Sequence, residues 1–541
     1  MFFIVYLPYM IKNQMNSMKR LVIPVMATIS MLSCSHPCTV AENDGPLSWG
    51  DQGNGTYINP VLVADYSDPD VIRVGDTFYM VASDFHFMGM QILKSADLVN
   101  WEFVTRLYDR LDFPQYDDME GYSHGSWAPS IRYHDGKFYV YFCTPTEGLF
   151  MTCASNPEGP WSELLFVHKG DEDCGWEDPC PFWDEDGQAY LGRSQLGAGP
   201  IILHKMSADG TELLDDGVEI YNGDVAEGTK FLKKDGWYYL LIPEGGVSSG
   251  YQVALRSRNI YGPYERRVVL EQGMTDINGP HQGGFVDAPD GSWWFMHFQH
   301  TDALGRIVHL QPVHWADCWP VVGVDIDRNG IGEPVHCWTM PVTGGSISKP
   351  ASSDDFSSVE LGTQWQFNHN PVNNGWSLSE NPGKLTIHAL KADTFREARN
   401  TFTQKMMGFT GTITVKLETA DIAEGQHSGL AFMGADEFII GVRKIDGNTE
   451  VYRENYSNET YSPDGEVPFR GKRIWLRCTY DTASGTGSMS YSSNGDEFIS
   501  LGSNVKPSYG WWKGPRPGIF CYNTIEDAGD GIFDDFKYDF D

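Results

Sequence analysis

Apolar residues in this chain fall into short runs of strand length, and five of those runs follow the same kind of turn. "GDTFYMVA" from Gly75, "DGKFYVYF" from Asp135, "DGQAYLGR" from Asp186, "DGWYYLLI" from Asp235 and "DGSWWFMH" from Asp290 each place a Gly/Asp turn before an apolar, mostly aromatic segment. Such segments bounded by turn residues predict β-strands. Long patterns with the spacing of an amphipathic helix are absent between them. The turn glycines stand at 75, 136, 187, 236 and 291, giving spacings of 61, 51, 49 and 55. A repeat of about 50 residues built from strands predicts a propeller with one blade per repeat, hence five blades.

The repeats end near "WTMPV" at 338–342, so the predicted propeller spans residues 50–342. A Gly/Ser/Pro stretch at 343–354 reads as a linker. From 355 to 541 come short alternating segments such as "GKLTIHAL", "GTITVKLE", "EFIIGVR" and "RIWLRCTY", the pattern of a jelly-roll β-sandwich. The predicted fold is therefore all-β, in two domains, as a 541-residue chain exceeding one core requires.

Seven to ten residues ahead of each turn glycine the chain reads "SDPDVI" at Asp68, "SWAPSI" at Trp127, "EDPCPF" at Asp178, "AEGTKF" at Glu227 and "GPHQGG" at His281. The first strand of each propeller blade lines the central channel, so these five positions are expected to converge. Three carboxylates, a Trp and a His would meet there. Carboxylates crowded in a partly desolvated cleft have their pKa values pushed apart, which yields one acid and one base. That pairing is the apparatus of glycoside hydrolysis, and Trp127 offers an apolar face to a sugar ring. Phosphate loops, nucleophile elbows and HExxH motifs are absent.

Charge narrows the partners. A net charge of −34 repels nucleic acid and anionic membranes and leaves a neutral substrate unhindered. Residues 1–34 read as an export leader, with Lys19 and Arg20 ahead of an apolar run from Leu21 to Leu32. "MLSC" resembles a bacterial lipobox with Cys34 as the lipid anchor, and no acidic cluster follows it. The expected location is periplasmic. Cys174 with Cys180, or Cys143 with Cys153, are candidate bridges there; buried free thiols are the alternative.

"NPVLVADYSDPDVIRVGDTFYMVAS", "SADLVNWEFV", "SWAPSIRYHDGKFYVYF", "EDPCPFWDEDGQAYL", "AEGTKFLKKDGWYYLLIPEGG" and "LGRIVHLQPVHW" together resemble glycoside hydrolase family 43 over about residues 55–342. "WQFNHNPVNNGWSLSENPGKLTI" and "ARNTFTQKMMG" resemble the concanavalin-like sandwich fused to many members. The resemblance implies an inverting, exo-acting hydrolase with Asp68 as general base, Glu227 as general acid and Asp178 as the residue that raises the acid's pKa and orients it. Inversion requires Asp68 and Glu227 to stand roughly 6.5–9.5 Å apart. Asp70, two residues on, is a decoy for the base. Phe85 and Trp127 match pocket-shaping positions, Arg306 an arginine that reaches the sugar, and His281 a channel histidine that holds a water or calcium ion in some members.

No cofactor is required on this reading. Structural calcium is conceivable at His281 or near Asp354, Asp355, Asp534 and Asp535, where solvated acidic surface is the competing account. The expected activity is α-L-arabinofuranosidase on neutral hemicellulose side chains, xyloglucan included, or on oligosaccharides; β-xylosidase is the alternative. A carbohydrate-binding propeller without catalysis is the rival from another class.

Overall fold

The computed structural model describes residues 49–85, 88–117, 124–169, 175–367, 369–510 and 512–541. The leader, the Cys34 anchor and Cys174 lie outside them. Five four-stranded antiparallel sheets follow one another along the chain, each a simple meander. Blade 1 begins with Ser67–Val74, blade 2 with Trp127–His134, blade 3 with Trp176–Trp183, blade 4 with Lys230–Lys234 and blade 5 with His281–Asp287. The five turn-plus-aromatic phrases lead into the second strands, Thr77–Ser83, Lys137–Thr144, Ala189–Gln195, Trp237–Glu244 and Trp293–His300. Their apolar side chains are buried between neighbouring blades, which is why the aromatic content repeats with the fold.

The ring is tied shut by its own ends. Val308, in the third strand of blade 5, exchanges backbone hydrogen bonds with Leu62 and accepts one from Val61 N–H. Thr56–Ile58 also pairs antiparallel with Cys337–Thr339, after the last blade. Cys337 is disulfide-bonded. Cys143, Cys153 and Cys180 are free thiols, which corrects the candidate pairings. The physical reason is register: across their hairpin Cys143 faces Leu149 and Cys153 faces Tyr139, several residue pairs apart. Cys180 instead accepts from Arg132 and from Phe231 N–H.

The C-terminal residues build two antiparallel sheets packed face to face, one centred on Arg516–Asn523 and Gln426–Met433, the other on Thr410–Glu418 and Asp530–Phe540. One apolar cluster runs through both domains. It joins Tyr57, Leu62, Val71 and Met296 of the propeller to Trp365, Met407, Leu430 and Phe533 of the sandwich. The 343–354 stretch has no strand of its own but is docked on blade 1, where Ser348 N–H donates to Asn100. The two domains therefore share a core.

Candidate active site

Each blade's channel-facing strand is entered through a tetrapeptide: Ser67-Asp68-Pro69-Asp70, Trp127-Ala128-Pro129-Ser130, Glu177-Asp178-Pro179-Cys180, Glu227-Gly228-Thr229-Lys230 and His281-Gln282-Gly283-Gly284. The second residue takes positive φ in all five: Asp68 53°, Ala128 37°, Asp178 56°, Gly228 59° and Gln282 53°. In blades 1, 2, 3 and 5 the strand pairing slips across this residue, as in a β-bulge. Without a bulge, adjacent strand residues point to opposite faces; the bulge re-aims them, so in blades 2 and 3 the first and second residues both reach the cavity. Left-handed backbone at a non-glycine residue costs roughly 1–2 kcal/mol, least for Asp, and fits a site where side-chain aim outweighs local comfort.

This register corrects the sequence alignment. Asp68 and Asp178 occupy the second position, whereas Trp127, Glu227 and His281 occupy the first. The five chosen residues were one step out of phase with each other, because the distance from turn to bulge differs between blades.

Asp68, Phe85, Trp127, Asp178, Glu227 and Arg306 all line one cavity of about 470 Å³, a volume suited to a small-molecule site. Asp68 is held by three donors: Arg306 at 3.0 Å, Ser67 at 2.9 Å and Ser83 at 2.5 Å. Asp178 accepts from Gly228 N–H at 2.5 Å and Ser194 Oγ at 3.3 Å. The first of these bonds ties Asp178 to the peptide next to Glu227. Phe85 and Trp127 meet edge to face at 5.7 Å and form an apolar wall.

Electrostatics separates the carboxyl groups. Burial, with Asp178 and Glu177 adding like charge, raises Glu227 to about 9. Burial also raises Asp178 to about 6, less far because Gly228 N–H favours its charged form. The arrangement provides a carboxylic acid that keeps its proton at neutral pH beside a carboxylate that does not. Chemically, that is a proton donor with an orienting neighbour, and Asp68, held by Arg306, is an acceptor in the same cavity.

His281 sits elsewhere than expected. It is fully buried, absent from the lining, and packed edge-on to Phe298 at 5.3 Å. Gly250 leaves room for its ring, since a Cβ there would lie 2.5 Å from Nε2. Burial lowers its pKa to about 4, so it is neutral. Gln282, the next residue, takes blade 5's place in the lining. Asp70, the decoy, is a core residue that pairs with Arg132 at 2.5 Å and accepts from Ile131 N–H.

Several lining residues escaped the sequence reading, among them Glu177, Gln282 and Trp512. The shared positive-φ second position puts Glu177 level with Glu227 and Gln282 level with Asp178, and in the sequence a following proline marks that position only in blades 1–3. Trp512 belongs to the sandwich and carries no local signal. Its half-exposed ring stands 5.6 Å from the Arg306 guanidinium, so the second domain closes one side of the cavity.

Among the described residues, the set of metal-ligand atoms with cation-site spacing is Glu177, Asp178 and Glu227, all within 4.8 Å of one another. Burial and the neighbouring like charges raise the pKa values of all three groups. Asp354, Asp355, Asp534 and Asp535 do not converge: they meet Trp365 Nε1, Ser357 N–H, Lys416 and Lys537 respectively.

Comparison with known proteins agrees with this geometry. The model of "Glycosyl hydrolases family 43" matches residues 57–320, and that of "Beta xylosidase C-terminal Concanavalin A-like domain" matches 353–539. The chain is 52% identical over 500 residues to a "Putative beta-xylosidase" of Xylanibacter ruminicola, covering 91% of this chain and 92% of the relative. It is 37% identical over 552 residues to a beta-xylosidase of Formosa agariphila, with 91% and 92% covered. A non-reducing end alpha-L-arabinofuranosidase of Bacteroides ovatus is 31% identical over 410 residues, with 71% and 74% covered. The solved structure of a bifunctional GH43-CE protein from Bacteroides eggerthii superposes with a TM-score of 0.81 at 31% identity, covering 90% of this chain and 64% of that one.

Proposed function

The chain belongs to glycosyl hydrolases family 43, and from that premise we propose that it is a β-xylosidase that releases terminal xylose from neutral oligosaccharides with inversion. In this mechanism Asp68 takes a proton from a water as the water's oxygen attacks the anomeric carbon. The glycosidic C–O bond breaks, and the leaving oxygen takes the proton of Glu227. Asp178 holds the peptide beside Glu227 and keeps the acid protonated through its negative charge. Phe85 and Trp127 receive the sugar face, and Arg306 fixes the base.

The observation that carries the reading is Glu227, a half-buried acid with its pKa raised to about 9 in a cavity that also holds Asp68 and Asp178. The choice of xyloside over arabinofuranoside rests on the two relatives of higher identity, both named for β-xylosidase activity. The arabinofuranosidase expectation stays as the second reading, supported by the Bacteroides ovatus relative. The Trp512 wall favours a chain end over a chain middle, hence exo action.

Side-by-side kcat/KM values on nitrophenyl β-D-xylopyranoside and α-L-arabinofuranoside test it. A xyloside preference of about tenfold or more supports the proposal, since one pocket contact is worth that much. The reverse ratio would move the assignment to arabinofuranosidase. Export through the leader belongs to the same proposal, and the Cys337 disulfide supports an oxidising compartment.

A further inference from the structure

A second glutamate occupies the register position of the proton donor. Glu177 is the first residue of the blade 3 tetrapeptide, the place Glu227 holds in blade 4. It is 7% exposed, lines the cavity, and has a carboxyl oxygen within 4.8 Å of those of Asp178 and Glu227. Its Oε1 accepts from Ala198 N–H at 2.9 Å, which fixes the side chain against the cavity wall. The hydrolytic roles assigned above leave it without a task. Yet a carboxyl this close to two others, and this buried, cannot ionise without disturbing them.

We propose that Glu177 is a positioning residue for the proton donor: neutral while the enzyme turns over, it steadies Glu227 beside the leaving oxygen and sets the pH at which that donor fails. The inference rests on the hydrolase reading above. The groups facing it are Asp178 on its own strand, Asp68 from blade 1, Cys143 from blade 2 and Glu227 from blade 4, while Lys230 acts on Asp178 and Arg306 on Glu227. Burial, then Asp178, raises Glu177 to about 8, between Asp178 near 6 and Glu227 near 9. At neutral pH the three groups therefore carry one negative charge, on Asp178, where Gly228 N–H and Lys230 favour it. Above pH 8 Glu177 becomes the second charge, and that charge delays the loss of the Glu227 proton. Glutamine at this position keeps the shape but supplies no charge.

The test is kcat/KM from pH 5 to 10 for wild type and Glu177→Gln on two substrates, an alkyl β-xyloside and dinitrophenyl β-xyloside. On the alkyl xyloside, whose leaving group needs the proton, the variant's alkaline limb should move down by about one pH unit. Its deficit should grow with pH, from about threefold at pH 6 to about thirtyfold at pH 10. On the dinitrophenyl xyloside, which leaves unaided, the limb should not move. Superimposable profiles would overturn the proposal. So would a loss of equal size at every pH and on both substrates, the mark of a merely structural residue. Glu177→Asp, which keeps the charge but withdraws it, serves if the Gln variant fails to fold, and should give a smaller shift in the same direction. A Glu227→Gln enzyme that retains its full rate on the alkyl xyloside would sink the hydrolase reading itself. Loss there, with superimposed Glu177→Gln profiles, would sink only this proposal.

Discussion

Arg306 of blade 5 reaches across the channel to Asp68 of blade 1, Nη1 to Oδ1 at 3.0 Å, with both side chains more than nine-tenths buried. Its Nη1 also donates to Ser67, which in turn donates to Asp68. Replacing Arg306 by Ala leaves a buried carboxylate without its cation. Breaking such a pair costs about 3–5 kcal/mol, so thermal unfolding should show a clear drop in Tm. The rate should fall about a hundredfold, because water would enter beside the base. A variant with wild-type Tm and rate would show that the pair does no work.

Raised carboxyl pKa values also tie stability to pH. Glu227 near 9 and Glu177 near 8 hold protons in the folded state that their unfolded counterparts lose near 4.5. Their contribution is full below the unfolded pKa and disappears as pH rises through the folded one. Buried histidines such as His281 and His297, lowered to about 4 and about 3, act only below about pH 6.5. Between pH 7 and 9 the histidines no longer contribute, and the stability supplied by the two carboxyl groups should fall. A Glu177→Gln, Glu227→Gln double variant should flatten that slope in denaturant titrations; an unchanged slope would refute the assignment.

Trp512 offers a cleaner lesion, since it is half-exposed and makes no core contact with the apolar cluster shared by the two domains. Trp512→Ala should raise KM about tenfold with little change in Tm, because one wall of the cavity is removed and the carboxyl groups stay in place. An unaltered KM would place the sugar away from that wall.

Asp84 holds the seam between the domains, where Lys405 at 3.4 Å and Arg516 at 3.7 Å converge on its carboxylate. Arg516 also donates to the Asp84 carbonyl, one peptide before Phe85. Asp84→Ala would strand buried cations at the seam, and a loss of about 3–5 kcal/mol is expected in chemical denaturation. Activity should fall with it, since the Phe85 wall hangs from the same segment. Full stability in the variant would contradict this account.

Stereochemistry gives a further check. Proton NMR during hydrolysis should show the α-anomer of xylose first, before mutarotation. Early β-anomer would mean retention, and the assignment of Asp68 as a base acting through water would fail.

Much of this architecture was legible in the sequence because it repeats: a turn and an apolar, mostly aromatic strand recur about every 50 residues. Asp68, Asp178 and Glu227 were legible for the same reason, and the cavity does gather them. The phase error had a definite source. Counting back from a turn assumes an unbroken two-residue alternation, and the bulge at Asp68, Ala128, Asp178 and Gln282 breaks it. His281 was placed in the pocket on that count and lies behind it. Trp512 was beyond reach for another reason: contact between residues hundreds of positions apart leaves no periodic trace.

The core shared between the first blades and the last strands also sets an order of events in the cell. Trp512 and Arg516 follow Asp68, Asp178 and Glu227 by hundreds of residues, so a nascent chain carries those acids well before it has one cavity wall and the clasp on Asp84. Competence waits for those sandwich residues, and a chain cut ahead of Trp512 should be an inert one.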